Sequence, residues 1–227
     1  MVKKGEPRMS NKKDIAICLF SGGLDSAVAV AVARDRGYEP SLLFVNYGQK
    51  TQKKERWCVK KIAEFYNIKK IQIVDIMWLK DFGKSALFDK NIKLDENNKT
   101  LEYVPFRNSI FLSIATAWAE VENARAIFVG SSGGDSICPD NSSDYLKAFQ
   151  QVINIGTMLN KNIKIIAPLI NTNKNGAVKI GKKLNVRFDL TWSCHNNLNK
   201  ACGHCSNCLA RRKAFGSNGL KDPILYE

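Results

Sequence analysis

The chain has 227 residues, is 44% hydrophobic, and carries 35 Lys and Arg against 21 Asp and Glu, a formal charge of +14. That length allows one well-buried core with a small appendage, and no apolar run approaches the roughly eighteen residues of a membrane-spanning helix. A basic balance favours anionic partners, but no basic stripe interleaved with aromatics marks a nucleic-acid face, so the charge reads as lysines spread over a solvated surface.

Residues 1–13 are polar and lysine-rich with no apolar segment behind them. They read as a disordered tail rather than a secretory signal, which makes the chain cytoplasmic by expectation. Asp14 to Phe20 is a short β-branched run, a buried strand. It leads into Ser21-Gly22-Gly23-Leu24-Asp25-Ser26, and Ala27 to Arg34 then reads as a helix ending near Gly37. Strand, glycine-rich turn and helix in this order make an anion site. Glycines bring backbone N–H groups close to a ligand, and the helix turns its positive end toward the same space. Ser21 and Ser26 add hydroxyls. Asp25 repels phosphate and is suited instead to Mg²⁺ or to orienting the loop. A plain strand-to-helix turn would need neither the two serines nor the acid.

Further along, Ser41 to Val45 reads as a second strand, and Lys53 to Tyr66 as a helix with Trp57, Ile62 and Phe65 on its inner face. In this helix Glu55 reads as a solvated residue. Lys70 to Ile76 is a third strand. The polar stretch from Asp81 to Leu101 is expected to be a surface loop or lid. Helices over 109–121, 144–159 and 175–183 alternate with strands over 125–130 and 163–167. Such alternation predicts a doubly wound α/β fold, a mostly parallel sheet with helices on both faces.

Four of the seven cysteines crowd near the C-terminus, as Cys194-x7-Cys202-Gly-His-Cys205-x2-Cys208. The closely spaced run lets three thiolates reach one tetrahedral centre, and Cys194 supplies the fourth. Four sulfurs without an export signal favour a closed structural Zn²⁺ site. Loosely paired buried thiols and an iron–sulfur cluster are the alternatives. His195 and His204 read as bystanders, Cys18 and Cys58 as ordinary buried thiols, and Lys200, Arg211, Arg212 and Lys213 as cations offsetting the cluster. The expected organisation is a tail over 1–13, an α/β domain over 14–190 and a zinc-binding element over 191–227.

The loop Phe20 to Ser26 resembles the signature of the N-type ATP pyrophosphatases, enzymes of the adenine nucleotide alpha-hydrolase type. Their phosphate loop lacks the Gly-Lys-Ser/Thr of a Walker motif. With the four cysteines, the chain is similar to the 7-cyano-7-deazaguanine synthase family from Ile15 to about Phe215. Asn46-Tyr47-Gly48-Gln49, Val104-Pro105-Phe106-Arg107-Asn108, Pro168-Leu169 with Lys174, Thr191 to Cys194, and Arg211-Arg212 with Phe215 all fall where that family has similar segments. Two segments depart from it. One extra residue precedes Glu55 after Gln49-Lys50-Thr51, and the family's Tyr-Pro-Asp-Cys-Arg reads Cys138-Pro139-Asp140-Asn141-Ser142.

The resemblance implies ATP-dependent conversion of 7-carboxy-7-deazaguanine and ammonia to the nitrile through adenylated intermediates, with ATP, Mg²⁺ and Zn²⁺ as cofactors. Phe20, Ser21, Gly22, Gly23, Leu24, Asp25 and Ser26 would hold the nucleotide phosphates. Asp25, Arg107 and Lys174 would act on phosphate or the substrate carboxylate, and Asn108, Asp135 and Asp140 on the base or ribose. A homodimer is implied. The altered segment also admits a paralogue that passes the activated deazaguanine to a protein amine, and the charge admits a tRNA-modifying adenylase.

Overall fold

The computed structural model describes residues 13–133, 138–158, 163–196 and 199–227. The expected tail over 1–13 therefore lies, apart from its last residue, outside the described residues. Five parallel strands form one sheet in the order β3-β2-β1-β4-β5, with β1 Ile15–Leu19, β2 Glu39–Asn46, β3 Ile71–Asp75, β4 Ala126–Phe128 and β5 Lys164–Ile166. The central strands pair β1 with β2 from Ile15 against Glu39, and β1 with β4 from Ala16 against Ala126. This is the expected parallel α/β sheet. β2 is buried along nearly its whole length, as a strand covered on both faces must be.

Alternate residues of the central strands β1, β2 and β4 enter two separate cores. On one face Ile17, Leu43, Val45, Ile127 and Val129 pack with Leu112 and Ala115 of α3 (Arg107–Val121) and with Leu146 and Ile153 of α4 (Ser143–Gly156). On the other, Ala16, Cys18, Leu42, Phe44 and Phe128 pack with α1 (Leu24–Asp35), with Val59 and Ile62 of α2 (Gln52–Tyr66), and with Ala177 and Val178 of α5 (Lys174–Lys183). Every residue of α1 from Ser26 to Ala33 is buried. That explains its uniformly small, apolar sequence: it is enclosed on all sides rather than amphipathic.

Two expectations change. The inner face of α2 is Cys58, Val59, Ile62 and Ala63, whereas Trp57 and Phe65 are 41% and 46% exposed. Small residues let α2 come close to the sheet, and the bulky rings sit at the rim. There Trp57 lies under the Lys54 ammonium at 4.4 Å, and Phe65 packs on Tyr66. Helix α1 also begins three residues before the expected Ala27. Gly23 takes the extended conformation of a cap residue, which places Asp25 in the first turn, where its charge complements the helix dipole.

The cysteine-rich end continues into α6 (Ser206–Ser217), a helix that composition does not announce, whose Ala214 and Phe215 enter the second core. Arg211 of α6 is fully buried. Its guanidinium makes a forked pair with Asp222 at 2.8 and 3.1 Å, and donates to Thr191 Oγ1 at 2.8 Å and to the Phe188 carbonyl at 2.9 Å. It thus ties helix to loop rather than neutralising thiolates. Removing one member of a buried pair leaves the other charged and unpaired. Arg211→Met is expected to lower unfolding stability by about 3–5 kcal/mol, read as a reduced urea midpoint.

Candidate active site and metal centre

In open sheets of this order, ligands bind beyond the carboxyl ends of the strands where the winding reverses, here between β1 and β4. A cavity of about 320 Å³ lies at that point. Its wall includes Phe20, Ser21, Gly23, Leu24, Asp25 and Ser26 from the loop after β1 and Gly130 after β4. Tyr47, Gln49 and Glu55 contribute from the β2–α2 side, Arg107, Asn108 and Phe111 from α3, and Lys174 from α5. The loop braces itself: Ser21 Oγ and Ser26 Oγ are 3.2 Å apart, the Gly23 N–H donates to Ser21 Oγ, and Ser26 Oγ donates to the Gly23 carbonyl at 3.1 Å.

Gly22 is glycine for two reasons. Its φ is +79°, and a Cβ there would sit 2.8 Å from the Glu55 carbonyl oxygen and 3.0 Å from Cys58 Cβ. The first turn of α2 is therefore pressed directly against the phosphate loop.

Asp25 and Lys174, 149 residues apart, form an ion pair in the cavity wall with both side chains largely covered. Asp25 Oδ1 is buried without a hydrogen-bond partner. An orphaned carboxylate oxygen beside a phosphate loop is a fitting ligand for a hard, oxygen-seeking cation. Arg107 lies in the first turn of α3, where the helix dipole disfavours a cation. Its NH1 donates to Tyr47 Oη at 3.2 Å, and its Nε is buried without a partner. A cation held against the helix field with a spare donor is arranged to receive an anion. The guanidinium follows Phe106, a non-glycine residue in the left-handed region with φ 55°.

Asp140 is 4% exposed. Its carboxylate accepts from the Asn108 N–H at 2.8 Å, Asn108 Nδ2 at 3.1 Å and the Ser109 N–H at 3.3 Å. It therefore caps α3 from across the cavity and holds Asn108. In the same segment Ser142 caps α4 by accepting from the Tyr145 N–H, and Asn141 bonds Ser131. Serine thus has a local reason to stand there that an arginine would not meet, while Cys138 lines the cavity beside Asp140. Asp135 lies outside the described residues.

Glu55 is not the solvated residue that its helical position suggests. It lines the cavity, accepts from Gln49 Nε2 at 2.7 Å and from Thr51 Oγ1 at 2.5 Å, and burial pushes its carboxyl above the usual range against the pull of those two bonds. The surrounding sequence shows charge and helix periodicity but not the glycine it packs against. From the 81–101 stretch, Leu87 and Lys99 reach the cavity wall, as a covering loop would.

Cys194, Cys202, Cys205 and Cys208 are all buried, and their sulfurs lie within 4.8 Å of one another. Tetrahedral thiolates at about 2.3 Å from a zinc ion would span a similar space. Backbone N–H groups of Asn196, Cys202 and Cys205 point at the sulfurs at 3.4 Å, as donors do toward thiolates. Hydrogen bonding to Cys194 pushes the Cys205 and Cys208 thiols upward. A divalent metal would supply the charge that ionised sulfurs lack. His195 faces Glu102 at 3.7 Å and the cavity, and His204 Nδ1 lies 2.7 Å from the Cys202 carbonyl oxygen, so neither histidine joins the quartet.

Because Asp140 satisfies several buried donors at once, Asp140→Ala is expected to cost about 1–3 kcal/mol. The loss should appear in chemical denaturation and be accompanied by earlier amide exchange at the start of α3.

The sequence profile described as Queuosine biosynthesis protein QueC matches residues 15–219. A 7-cyano-7-deazaguanine synthase from Campylobacter jejuni is 41% identical over 219 residues, covering 93% of this chain and 98% of the relative. One from Methanosphaerula palustris is 44% identical over 218 residues, with 93% and 99% covered. Among solved structures, a 4-thiouridine synthetase in complex with RNA and bound ATP superposes with a TM-score of 0.51 at 19% identity, over 90% of this chain and 54% of that one. A predicted subunit of tRNA methyltransferase from Methanocaldococcus jannaschii gives 0.50 at 16% identity over 95% and 93%. These two likenesses are of fold. The identity over nearly the whole length, together with the loop, the cavity and the cysteine quartet just described, places the chain in the QueC family.

Proposed function

We propose that this chain converts 7-carboxy-7-deazaguanine to 7-cyano-7-deazaguanine, consuming ATP and ammonia and releasing AMP and pyrophosphate. The observation that carries the reading is one cavity in which a phosphate loop without a Walker lysine meets Arg107 and Lys174. The chain around that cavity is 41–44% identical to synthases of that name.

A carboxylate is a poor electrophile because oxide is a poor leaving group. Its oxygen attacks the α-phosphorus of ATP, pyrophosphate departs, and AMP becomes the leaving group for ammonia. A second adenylation, on the amide oxygen, lets AMP leave again as the nitrile forms. The protein positions these groups and stabilises charge. Ser21 to Ser26 receive the departing pyrophosphate with backbone N–H groups, hydroxyls and the dipole of α1. Asp25, through Oδ1, would hold Mg²⁺, which supplies charge neutralisation to the phosphates. Lys174 keeps Asp25 oriented and adds a positive charge at the cavity wall. Arg107 offers its unpaired Nε to the carboxylate or the α-phosphate. Asn108, fixed by Asp140, would read the heterocycle, and Phe111 and Trp192 give the cavity apolar walls.

The quartet Cys194, Cys202, Cys205 and Cys208 would hold a structural Zn²⁺, with no open position for substrate. A homodimer is the proposed assembly. It is supported by the edge strand β3, whose Ile71 and Ile73 are exposed near the exposed pair Trp78 and Phe82.

With 7-carboxy-7-deazaguanine, ATP, Mg²⁺ and ammonium, nucleotide analysis is expected to show AMP and pyrophosphate, and mass spectrometry the nitrile. ADP and phosphate would refute adenylation. Accumulation of amide alone, or a deazaguanine adduct on a protein amine, would identify a different acceptor. Metal analysis should return about one zinc per chain, and Cys205→Ala should lower both zinc content and thermal stability, since metal binding is coupled to folding.

A further inference from the structure

Glu55 is a half-buried carboxylate in the candidate reaction cavity that neither phosphate binding nor the ion pairs around it require. Its two hydrogen bonds come from neutral donors, Gln49 Nε2 and Thr51 Oγ1, whose residues are only 2% and 3% exposed. The orientation of the Gln49 amide is forced. The Tyr47 N–H can only donate, so Gln49 Oε1 must face it at 3.0 Å, and the NH₂ must then face Val45 O and Glu55. The carboxylate is thus locked by side chains that bring no positive charge.

An ionised carboxylate has about four acceptor sites, and two are taken. Its main chain is pressed on Gly22, so the acid stands at a fixed place relative to the phosphate loop. The charged and titratable groups that bear on it are Arg107 and His195, which favour its ionised form, and Tyr47 and Cys58, which its negative charge pushes upward. His195 is itself shared with Glu102.

The geometry points to Glu55 as the residue that binds ammonium in the cavity and takes its proton before attack. This rests on the ammonia-dependent reading above. Ammonium has no lone pair to give. One N–H bond breaks, its proton passes to the Glu55 carboxylate, and the freed pair on nitrogen forms the C–N bond at the adenylated carbonyl. The C–O bond to AMP then breaks with its electrons leaving on AMP, and the surplus proton on the new amide nitrogen goes to water. Glu55 returns its own proton to water between turnovers. Burial raises the acid above the usual carboxylate range, which makes it a better proton acceptor than an exposed carboxylate.

Three measurements on the full chain test this. Substrate-dependent exchange of pyrophosphate into ATP, without ammonium, reads adenylation alone. Product formation with ammonium at neutral pH needs proton removal. Hydroxamate formation with hydroxylamine, largely unprotonated at neutral pH, needs none. Glu55→Gln keeps the shape and is expected to leave exchange within about twofold and hydroxamate formation within about threefold, while ammonium-dependent turnover falls on the order of 10²-fold. That deficit should shrink as pH rises and free ammonia becomes abundant.

Equal losses with the two nucleophiles, or loss of exchange, would overturn the assignment and make Glu55 a part of adenylation or of the fold. Should Glu55→Gln not fold, Glu55→Asp is compared with the same pair of nucleophiles. A larger loss with ammonium supports the assignment, and equal losses overturn it. Absence of exchange in the wild-type chain would instead refute the functional reading, and this inference with it.

Discussion

A peptide N–H, that of Trp192, donates to the carbonyl of Gly22 at 2.9 Å. Through it the cysteine-rich end of the chain grips the phosphate loop. Gly22 sits in a backbone region that residues with a side chain rarely adopt, with α2 against it on one side and Trp192 bonded to it on the other. That segment is held in turn by Arg211, which bonds Thr191 and Ser193 on one edge of its guanidinium and Asp222 on the other. Two residues past Trp192 comes Cys194, the first member of the sulfur quartet. A metal held by that quartet would act by fixing the wall against which the loop is built.

The electrostatics of the cavity follow from that placement. The start of α1, Lys174 and Arg107 all bring positive potential to the cavity, and the two carboxylates Asp25 and Glu55 have different partners. Asp25 has a cationic partner and one bare oxygen, a pattern suited to a metal bridging to phosphate. Glu55 has neutral partners only and is destabilised in its charged form by burial. Two like side chains thus receive different chemistry from their surroundings rather than from their identity.

What could be read from the sequence was what is contiguous. The phosphate loop and the cysteine run each carry their geometry within a few residues, and the strand–helix alternation follows from runs of β-branched and helical spacing, so these parts were legible. Properties that depend on distant partners were not. The placement of Glu55 depends on its main chain packing against Gly22, whose own neighbours in sequence give no hint of α2. The inner face of α2 is set by how closely it approaches the sheet, which favours Cys58 and Ala63 over the larger Trp57 and Phe65. The commitment of Asp140 to the start of α3 and the fork between Arg211 and Asp222 join residues that local pattern treats separately. The order of the strands, with β3 at an edge, is likewise a product of long-range pairing.

The bond from Trp192 to Gly22 also has a temporal meaning. The loop leaves the ribosome long before Trp192, the four cysteines and Arg211 do. Until then the nascent chain can form strands β1 and β2 and the helix between them, yet Gly22 has nothing beyond α2 to hold it. Nucleotide affinity should therefore appear late and abruptly during synthesis, with the final helix, rather than growing as each strand is added.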